Sequence, residues 1–314
     1  MLQHYLRFVV LFAALLSTVS CGDEGPSVQF LSIGTGGTGG IYYPLGGAIA
    51  SILSADDASR QYTAEVTGGS VENIARIANG QIDLGFAIGS SARAAFDGAG
   101  ELDAVPGLRV VAPLYPNVAH VLVRDDSGIE SVADLADQVV SVGSAGSGTE
   151  QFARHLLGAY ELDYEDIDER FLSFSESSAA LRDGAIDAAI LSVGYPAAAV
   201  LEATTNAAVT LVPVPPEDAE RLRATHPYYA PAAIPAGTYS GVEADVPTVS
   251  VMNWIVAMED LEAEPAVALL NALRDRLQVL VRVNGIAAQI DLSAMAATPI
   301  PLHPAAERWL QESR

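Results

Sequence analysis

Two stretches of the chain join a short apolar run to a helical pattern through a loop rich in glycine and hydroxyl residues. The first loop is GTGGTGG at 34–40, and the second is GSAGSGT at 143–149. Short apolar runs that alternate with helical patterns are typical of α/β proteins, in which a strand leads through a loop into a helix. The sequence therefore predicts an α/β fold whose two halves each contain the same strand–loop–helix unit.

The elements predicted around the two loops follow the same order. Strands are predicted at 28–33, 62–67 and 82–89 in the first half and at 138–143, 169–174 and 186–194 in the second, with helices between them. NGQIDLGFAIG at 79–89 also has the layout of RDGAIDAAILSVG at 182–194. One interpretation is a duplicated architecture. The other is that α/β units resemble one another by default.

Proline-bearing segments divide the chain into two lobes. VAPLYPNVAH at 111–120 lies between the halves, and HPYYAPAAIPAGTY at 226–239 reads as a long irregular stretch after the second half. We therefore predict lobe I from 28–116 plus 240–314 and lobe II from 117–239. A chain that crosses twice between lobes forms a two-strand hinge, and such clefts commonly close on ligands. After the return crossing, 248–258 reads as a strand, and Asp260 is expected to cap a long amphipathic helix at 261–281.

The first residues have the pattern of an export signal. The apolar run FVVLFAALLSTVS at 8–20 is thirteen residues long, whereas a bilayer of about 30 Å takes about 20 residues. We interpret 1–20 as a signal peptide and 21–27 as a tether, which predicts export from the cytoplasm. Cys21, the only cysteine, resembles the lipid-attachment residue of bacterial lipoproteins, although Thr18 stands where such signals usually carry Leu. The alternative is ordinary cleavage after Ser20, with Cys21 incidental. A lipid anchor at Cys21 is the only membrane contact that the sequence predicts.

The composition limits the partners of the chain. Its 314 residues, half of them hydrophobic, give room for two α/β domains and a sizeable core. The formal net charge is −23, and the chain has no lysine. Because nucleic acids and anionic membranes recruit basic patches, the sequence argues against both as binding surfaces.

Each glycine-rich loop leads into the start of a helix, where several backbone N–H groups have no partner within the helix. Such a start attracts an anion, typically by about 0.3–1 kcal/mol. Hydroxyl groups in the loops add donors without charge, and they belong to Thr35, Thr38, Ser144, Ser147 and Thr149. Two such loops facing one cleft could hold a carboxylate without an arginine. The alternative is that each loop is only a tight turn.

Other chemistry finds less support. The Gly-x-Gly-x-x-Gly pattern at 34–39 is typical of dinucleotide sites, which also need an acidic residue at the end of the next strand. Asp56 and Asp57 come too early, and Glu65 lies inside that strand. No metal-binding histidine spacing, Gly-x-Ser-x-Gly elbow or phosphate-binding Gly-Lys-Ser/Thr motif occurs. The sequence therefore predicts no enzyme and no cofactor. Asp83 and Asp187, each in a Gly-x-Ile-Asp turn, are interpreted as structural.

Several aromatic residues lie near the predicted cleft. Tyr42 and Tyr43 begin the first helix, and we expect one of them to face the ligand. Tyr115 lies in the segment between the halves, and Tyr195 follows the strand that ends the second half. For both of the last two, a place in the core is the alternative.

At these residues the sequence resembles the TAXI-family solute receptors of TRAP transporters. The resemblance covers nearly the whole chain after the signal and rests on a series of blocks in order: IGTGGTGGIYYPLGGAIA, TGGSVENIARIANGQIDLGFA, VRDDSGIESVADLADQVVSVGSAGSGTE, SFSESSAALRDGAIDAAILSVGYP, YYAPAAIPAGTYSG and PLHPAAERW. It implies a type II periplasmic-binding-protein fold with two hinged α/β lobes. It also implies a TRAP permease as partner and a ligand such as glutamate, 2-oxoglutarate or a related carboxylate.

The matching motifs carry the family's binding role onto the first loop, Tyr42 and the second loop, and further onto Ser70 and Ser90. The sequence departs from the family pattern at Gly89 and Ser90, where a longer polar side chain is expected. The full predicted ligand-binding set is Thr35, Gly36, Gly37, Thr38, Gly39, Tyr42, Ser70, Ser90, Tyr115, Ser144, Gly146, Ser147, Gly148, Thr149 and Tyr195. The predicted function is a non-catalytic receptor that delivers a small carboxylate to a TRAP permease. The alternative is a sensor of the same ligand that reports to a signalling partner.

Overall fold

The computed structural model describes residues 28–99 and 103–313. The predicted signal peptide, the tether and Cys21 therefore lie outside the described residues. Within the described ranges, no helix combines the length and the apolar character that crossing a membrane takes.

The first half contains a parallel sheet with its strands in the order β2-β1-β3. Its elements in chain order are β1 (Gln29–Gly34), α1 (Tyr42–Asp56), β2 (Arg60–Glu65), α2 (Ser70–Ala78), β3 (Leu84–Ile88) and α3 (Gly89–Asp97). The three predicted strands are confirmed, with bounds shifted by up to two residues. Both predicted helices are also present.

The second half repeats this plan. Its elements are β4 (Leu108–Arg124), β5 (Val139–Ser141), α4 (Gly148–Ala159), β6 (Asp168–Arg170), α5 (Phe174–Arg182) and β7 (Ala188–Val193). The strands β6, β5 and β7 are parallel and adjacent in that order. The chain continues through α6 (Ala198–Asn206), β8 (Val209–Val212), α7 (Pro216–Thr225), β9 (Tyr229–Ile234), β10 (Val246–Met258), α8 (Ala263–Asp275), α9 (Leu277–Val283) and α10 (Pro304–Glu312). Short 3₁₀ helices lie at Val132–Leu135, Gly285–Gln289 and Leu292–Ala296.

Two aspartates make the same hydrogen bonds in the two halves. Asp83 accepts a bond from Ser32 N–H at 2.7 Å, and its own N–H donates to the Ser32 carbonyl. Asp187 accepts from Val139 N–H at 3.0 Å and donates back to the Val139 carbonyl in the same way. Each aspartate thus fixes its strand to the neighbouring parallel strand, so the structural interpretation of this pair is confirmed.

The two long strands β4 and β10 are antiparallel and join the halves at the centre of the sheet, whose order is β2-β1-β3-β10-β4-β7-β5-β6. The first part of β10, 246–251, pairs with β9. Its second part, 253–256, pairs with β3 of the first half. The strand β4 pairs with β7 from 118 onward. The two-lobe division remains a proposal. These pairings would put its first crossing near 117, at the predicted boundary. They would put its second crossing inside β10, later than the predicted boundary at 239–240.

The segment 111–120, predicted to lie between the halves, is part of the continuous strand β4. Proline cannot donate to a ladder, so the pairing of β4 has to adapt at Pro113 and Pro116. In the structure Pro113 lies opposite Trp254 and Pro116 opposite Met252, and the register shifts between these two pairs. The ladder thus accommodates the prolines at an irregularity. The stretch 226–239 likewise contains β9, which pairs with β10 as an edge strand.

The long helix predicted at 261–281 is two helices, and Asp260 does not cap it. The N-cap position of α8 belongs to Glu262, whose side chain makes no capping bond, and the helix begins at Ala263. Pro265 explains this start, because proline is tolerated only in the first turn of a helix. The helical pattern is interrupted at Arg276, which separates α8 from α9.

Candidate functional site

A cavity lies where helix starts of the first half face helix starts of the second. Its empty space, including open solvent at the mouth, is about 540 Å³. It is lined by Gly36, Gly37, Gly40, Ile41, Tyr42, Gly68, Gly69, Ser70, Ile88, Asn117, Ser144, Ser147, Gly148, Thr149, Ser173, Phe174, Ser192 and Val193. The structure thus brings together both predicted loops, Tyr42 and Ser70.

The first loop contributes backbone rather than hydroxyl groups. Gly36 and Gly37 line the cavity, and Thr38 is exposed outside the lining. Thr35 is fully buried, and its Oγ1 donates to the Glu65 carbonyl at 2.6 Å, which fixes the loop to β2. Gly39 faces the second half, where a Cβ at this position would lie 2.4 Å from Ser175 Oγ. Thr35 and Gly39 therefore shape the loop from outside the lining.

The start of α2 adds a third group of lining residues. Gly69, with φ of 122°, occupies the N-cap position in a conformation that favours glycine. Ser70 is 2% exposed, and its Oγ accepts a bond from Ile88 N–H at 3.1 Å. Ser70 and Asn73 form no capping box, because the N-cap of α2 is Gly69, which has no side chain. Asn73 Nδ2 instead donates to the carbonyls of Thr35 and Phe86, so this side chain fastens the loop to the strand ends.

The second loop contributes residues that also start α4. Ser147 is its N-cap, and its Oγ accepts from Glu150 N–H at 3.0 Å. Ser144, Gly148 and Thr149 line the cavity beside it, whereas Gly146 lies outside the lining. The second loop thus forms the turn from β5 into α4 and also lines the cavity.

The start of α5 is a part of the cavity that the sequence analysis missed. Ser173 and Phe174 line it. Ser173 and Glu176 form a reciprocal capping box, in which Ser173 N–H donates to Glu176 Oε2 at 2.8 Å. The Ser-x-x-Glu spacing at 173–176 was the available signal, because this spacing is typical of a helix start.

Four helices, α1, α2, α4 and α5, therefore begin at this cavity with their N-termini. The first residue of each helix has a backbone N–H group with no acceptor among the described residues. These four residues are Tyr42, Ser70, Gly148 and Phe174. The lining residues carry no charged side chain. Since helix starts carry partial positive charge, their unpaired N–H groups can attract an anion without a cationic side chain.

A hydrogen-bonded group of polar side chains crosses the cavity between the central strands. The Tyr42 hydroxyl donates to Asn253 Oδ1. Asn253 Nδ2 donates to Asn117 Oδ1 at 2.8 Å, and Asn117 Nδ2 donates to the Ser192 carbonyl at 2.9 Å. Burial raises the pKa of Tyr42 well above its ordinary value, so its phenol stays neutral. The group fixes Tyr42 at the junction of β4 and β10.

The remaining predicted residues lie outside the lining. Ser90 is 1% exposed, and its hydroxyl has no partner among the described residues. Tyr115 is fully buried, its hydroxyl is also without a partner in the described part of the chain, and burial raises its pKa. Tyr195 is partly buried and packs against the main core. Of the two tyrosines that begin α1, Tyr42 lines the cavity and Tyr43 is 38% exposed.

The two halves touch at the rim of the cavity. Glu72 N–H donates to the Gly146 carbonyl at 3.0 Å, and Ala199 N–H donates to the Gly39 carbonyl at 3.2 Å. The side chain of Ser91 donates to Gln151 Oε1 at 2.7 Å. The structure is therefore a closed arrangement in which the helix starts are held face to face. Across the described residues, no group of His, Cys, Asp and Glu could hold a metal ion.

The fold and the cavity define a class of protein. The architecture is the type II periplasmic-binding-protein fold, with two α/β halves joined by long central strands and a cavity between them. This confirms the predicted fold class. A model of the NMT1-like family matches residues 33–313, and the chain belongs to that family.

Solved structures share this fold at low sequence identity. A protein of Bordetella bronchiseptica RB50 is 18% identical with a TM-score of 0.54, and the match covers 90% of this chain and 81% of that protein. A periplasmic transporter is 12% identical with a TM-score of 0.53, and the match covers 90% of this chain and 92% of the transporter chain. The GluR0 ligand-binding core in complex with L-glutamate is 14% identical with a TM-score of 0.50, covering 85% and 100%. At these identities the likeness concerns the fold alone.

Proposed function

We propose that the protein is an extracytoplasmic receptor that binds a small carboxylate in the cavity between its halves. The observation that carries the proposal is the convergence of four helix starts with unpaired N–H donors and no charged side chain in the lining. A carboxylate accepts several hydrogen bonds at once and is stabilised by the positive ends of helices. The proposal assigns no reaction to the site.

Helix starts alone are too weak for this task. Each contributes about 0.3–1 kcal/mol and up to ~2 in partly buried geometry, whereas micromolar binding takes about 8 kcal/mol. The lining also offers hydroxyl groups and the apolar side chains of Ile41, Ile88, Phe174 and Val193. Hydrogen bonds to these hydroxyls and burial of an apolar tail would supply the remainder.

The receptor would serve uptake through a membrane permease. The TAXI-like blocks of the sequence favour a TRAP permease as partner and glutamate, 2-oxoglutarate or a related acid as ligand. The NMT1-like family and the fold shared with a periplasmic transporter and a glutamate-binding core support a receptor of this kind. The signal pattern at 1–20 and Cys21 support a periplasmic location with a lipid anchor. The partner is tested by measuring energised uptake of the acid into vesicles that contain a TRAP permease. We expect uptake only when this protein is also present.

Thermal unfolding of residues 22–314 tests the binding claim. The panel contains amino acids, 2-oxo acids, dicarboxylates and NAD. A ligand at 100 times its dissociation constant adds about 2.7 kcal/mol to the free energy of unfolding, so an upward shift with at least one carboxylate is expected. A shift with NAD alone would restore the dinucleotide interpretation of the first loop. No shift with any acid would contradict the proposed function.

A further inference from the structure

We propose that the ligand carries no ammonium group, so that the site selects 2-oxo, 2-hydroxy or unsubstituted carboxylates over the corresponding amino acids. This inference rests on the proposed function and narrows its ligand class. It follows from the unpaired N–H donors of the helix starts and from the lack of any carboxylate side chain among the lining residues.

The donor side of the site is open. The N–H groups of Tyr42, Ser70, Gly148 and Phe174 have no acceptor in the described part of the chain. Ser70 is 2% exposed and lines the cavity, so its N–H group is removed from bulk water. Buried donors without a partner are costly, so this side of the site calls for an anion.

The oxygens of the polar group at the centre of the sheet already accept hydrogen bonds. The Ser192 carbonyl accepts from Asn117 Nδ2 at 2.9 Å. The side-chain oxygen Oδ1 of Asn117 accepts from Asn253 Nδ2 at 2.8 Å, and Asn253 Oδ1 accepts from the Tyr42 hydroxyl. An ammonium group has three donors and no acceptor, so it would have to share these oxygens with donors that are already bound.

The carboxylates nearest to the helix starts are also engaged. Glu72 accepts from Gly68 N–H at 2.7 Å and lies 3.8 Å from the Arg76 guanidinium. Glu150 pairs with Arg154 at 2.5 Å. The Glu176 carboxylate accepts from Ser173 N–H. None of these three side chains lines the cavity. A buried ammonium group would therefore have no counter-ion, which is unfavourable in a desolvated site.

Isothermal titration with matched pairs of acids tests the inference. Each pair differs only at the α-carbon: glutamate and 2-oxoglutarate, leucine and 4-methyl-2-oxopentanoate, alanine and pyruvate. We expect the 2-oxo member of the pair that binds to bind at least about tenfold more tightly, as for the loss of one charged hydrogen bond. An amino acid that binds equally or better would overturn this inference and leave the receptor intact. Binding by none of these acids and by no acid of the thermal-unfolding panel would overturn both.

A charge-only pair of variants gives a second test. Ser144 lines the cavity, is partly exposed, and its side chain makes no hydrogen bond within the described ranges. Ser144→Asp places a carboxylate there, and Ser144→Asn has nearly the same shape without the charge. We expect Ser144→Asp to weaken the best 2-oxo acid and to narrow its advantage over the amino acid, while Ser144→Asn leaves that ratio unchanged. Equal effects of both variants on the ratio would overturn the inference.

Discussion

Gly36 lies in the first loop, shortly after β1, and next to the side chain of Tyr42, which limits the size of a side chain there. A Cβ at this position would lie 3.4 Å from Tyr42 Cδ2, which is ordinary contact. The branched methyl groups of valine would extend from there into the cavity or against Tyr42. We therefore predict that Gly36→Val weakens ligand binding at least about tenfold, which corresponds to about 1.4 kcal/mol, without unfolding the protein.

Titration of ligand and a thermal melt of the same sample separate these two effects. Gly47→Val is the matched control, because Gly47 lies on the exposed side of α1 with no atom within 4 Å of a built Cβ. Unchanged affinity in Gly36→Val would remove the first loop from the site.

Tyr42 provides a test of the polar group at the centre of the sheet. Its hydroxyl donates to Asn253 Oδ1, and Asn253 is fully buried. Tyr42→Phe leaves this oxygen without a donor, and we predict a loss of about 1–3 kcal/mol in the free energy of unfolding. Tyr43→Phe is the control, because Tyr43 is 38% exposed and should change stability by less than about 0.5 kcal/mol. Urea unfolding measures both, and equal losses would contradict the role given to Tyr42.

His120 predicts the pH dependence of stability. It is fully buried, contacts the Tyr239 hydroxyl through Nε2 at 2.9 Å, and burial lowers its pKa to about 4. In the unfolded chain its pKa returns to about 6.5, so the unfolded state binds the proton first as the pH falls. The stability that His120 contributes is therefore present above pH 6.5 and is lost as the pH falls toward 4, by about 1.4 kcal/mol for each unit of pKa difference.

Replacing His120 by Gln should remove this part of the slope while keeping a polar partner for Tyr239. The measurement is the free energy of unfolding at several pH values between 4 and 7 for both proteins. Parallel curves would show that His120 does not titrate as predicted.

At the scale of elements, the contact between the starts of α2 and α4 determines how closely the halves approach. A Cβ at Gly148 would lie 2.6 Å from Ser70 Oγ and 2.9 Å from Ile88 Cδ1. We predict that Gly148→Ala keeps the halves apart and weakens ligand binding at least about tenfold, or about 1.4 kcal/mol. Gly158→Ala, near the other end of α4 and with open space around its Cβ, is the control. It should bind normally and gain about 0.5–1 kcal/mol of stability.

Calorimetric titration of the two alanine variants measures this difference. Because both substitutions add one methyl group to the same helix, a shared change in affinity would contradict the closed contact as its cause.

The sequence predicted elements whose signal is local. The strands and helices next to the two glycine-rich loops were found because their periodicity lies within a few residues. The strand β4 was not predicted, because Pro113 and Pro116 are residues that usually interrupt a strand. The pairing with β10 that makes it a strand joins residues far apart in the chain. The start of α5 was missed because its cap, Ser173 with Glu176, has no glycine-rich loop to mark it.

The cavity was predictable only in part for a similar reason. Both loops and Tyr42 could be placed at it from their motifs, but Asn117 and Asn253 could not. Their side chains meet because β4 and β10 pair at the centre of the sheet, and no spacing within either strand indicates this contact. Ser90 and Tyr115 had plausible positions in the sequence, yet the structure places both outside the lining.

At the scale of the whole molecule, the net charge affects the capture of an anion. The formal charge of −23 repels an anionic ligand over the distance at which charges remain unscreened, about 10 Å at 0.1 M salt. We therefore predict that the association rate of a carboxylate rises with ionic strength, while its dissociation rate changes little. Stopped-flow measurements between about 0.02 and 0.3 M salt test this. An association rate that falls with salt would indicate a positive approach to the site.

A crystal structure of residues 22–314 with the acid that raises the unfolding temperature most would test the central claim directly. We predict that the carboxylate oxygens of the bound acid lie about 2.7–3.2 Å from N–H groups at the starts of α1, α2, α4 and α5. An acid bound outside this cavity would contradict it. So would an acid whose carboxylate faces solvent while its apolar end meets those N–H groups.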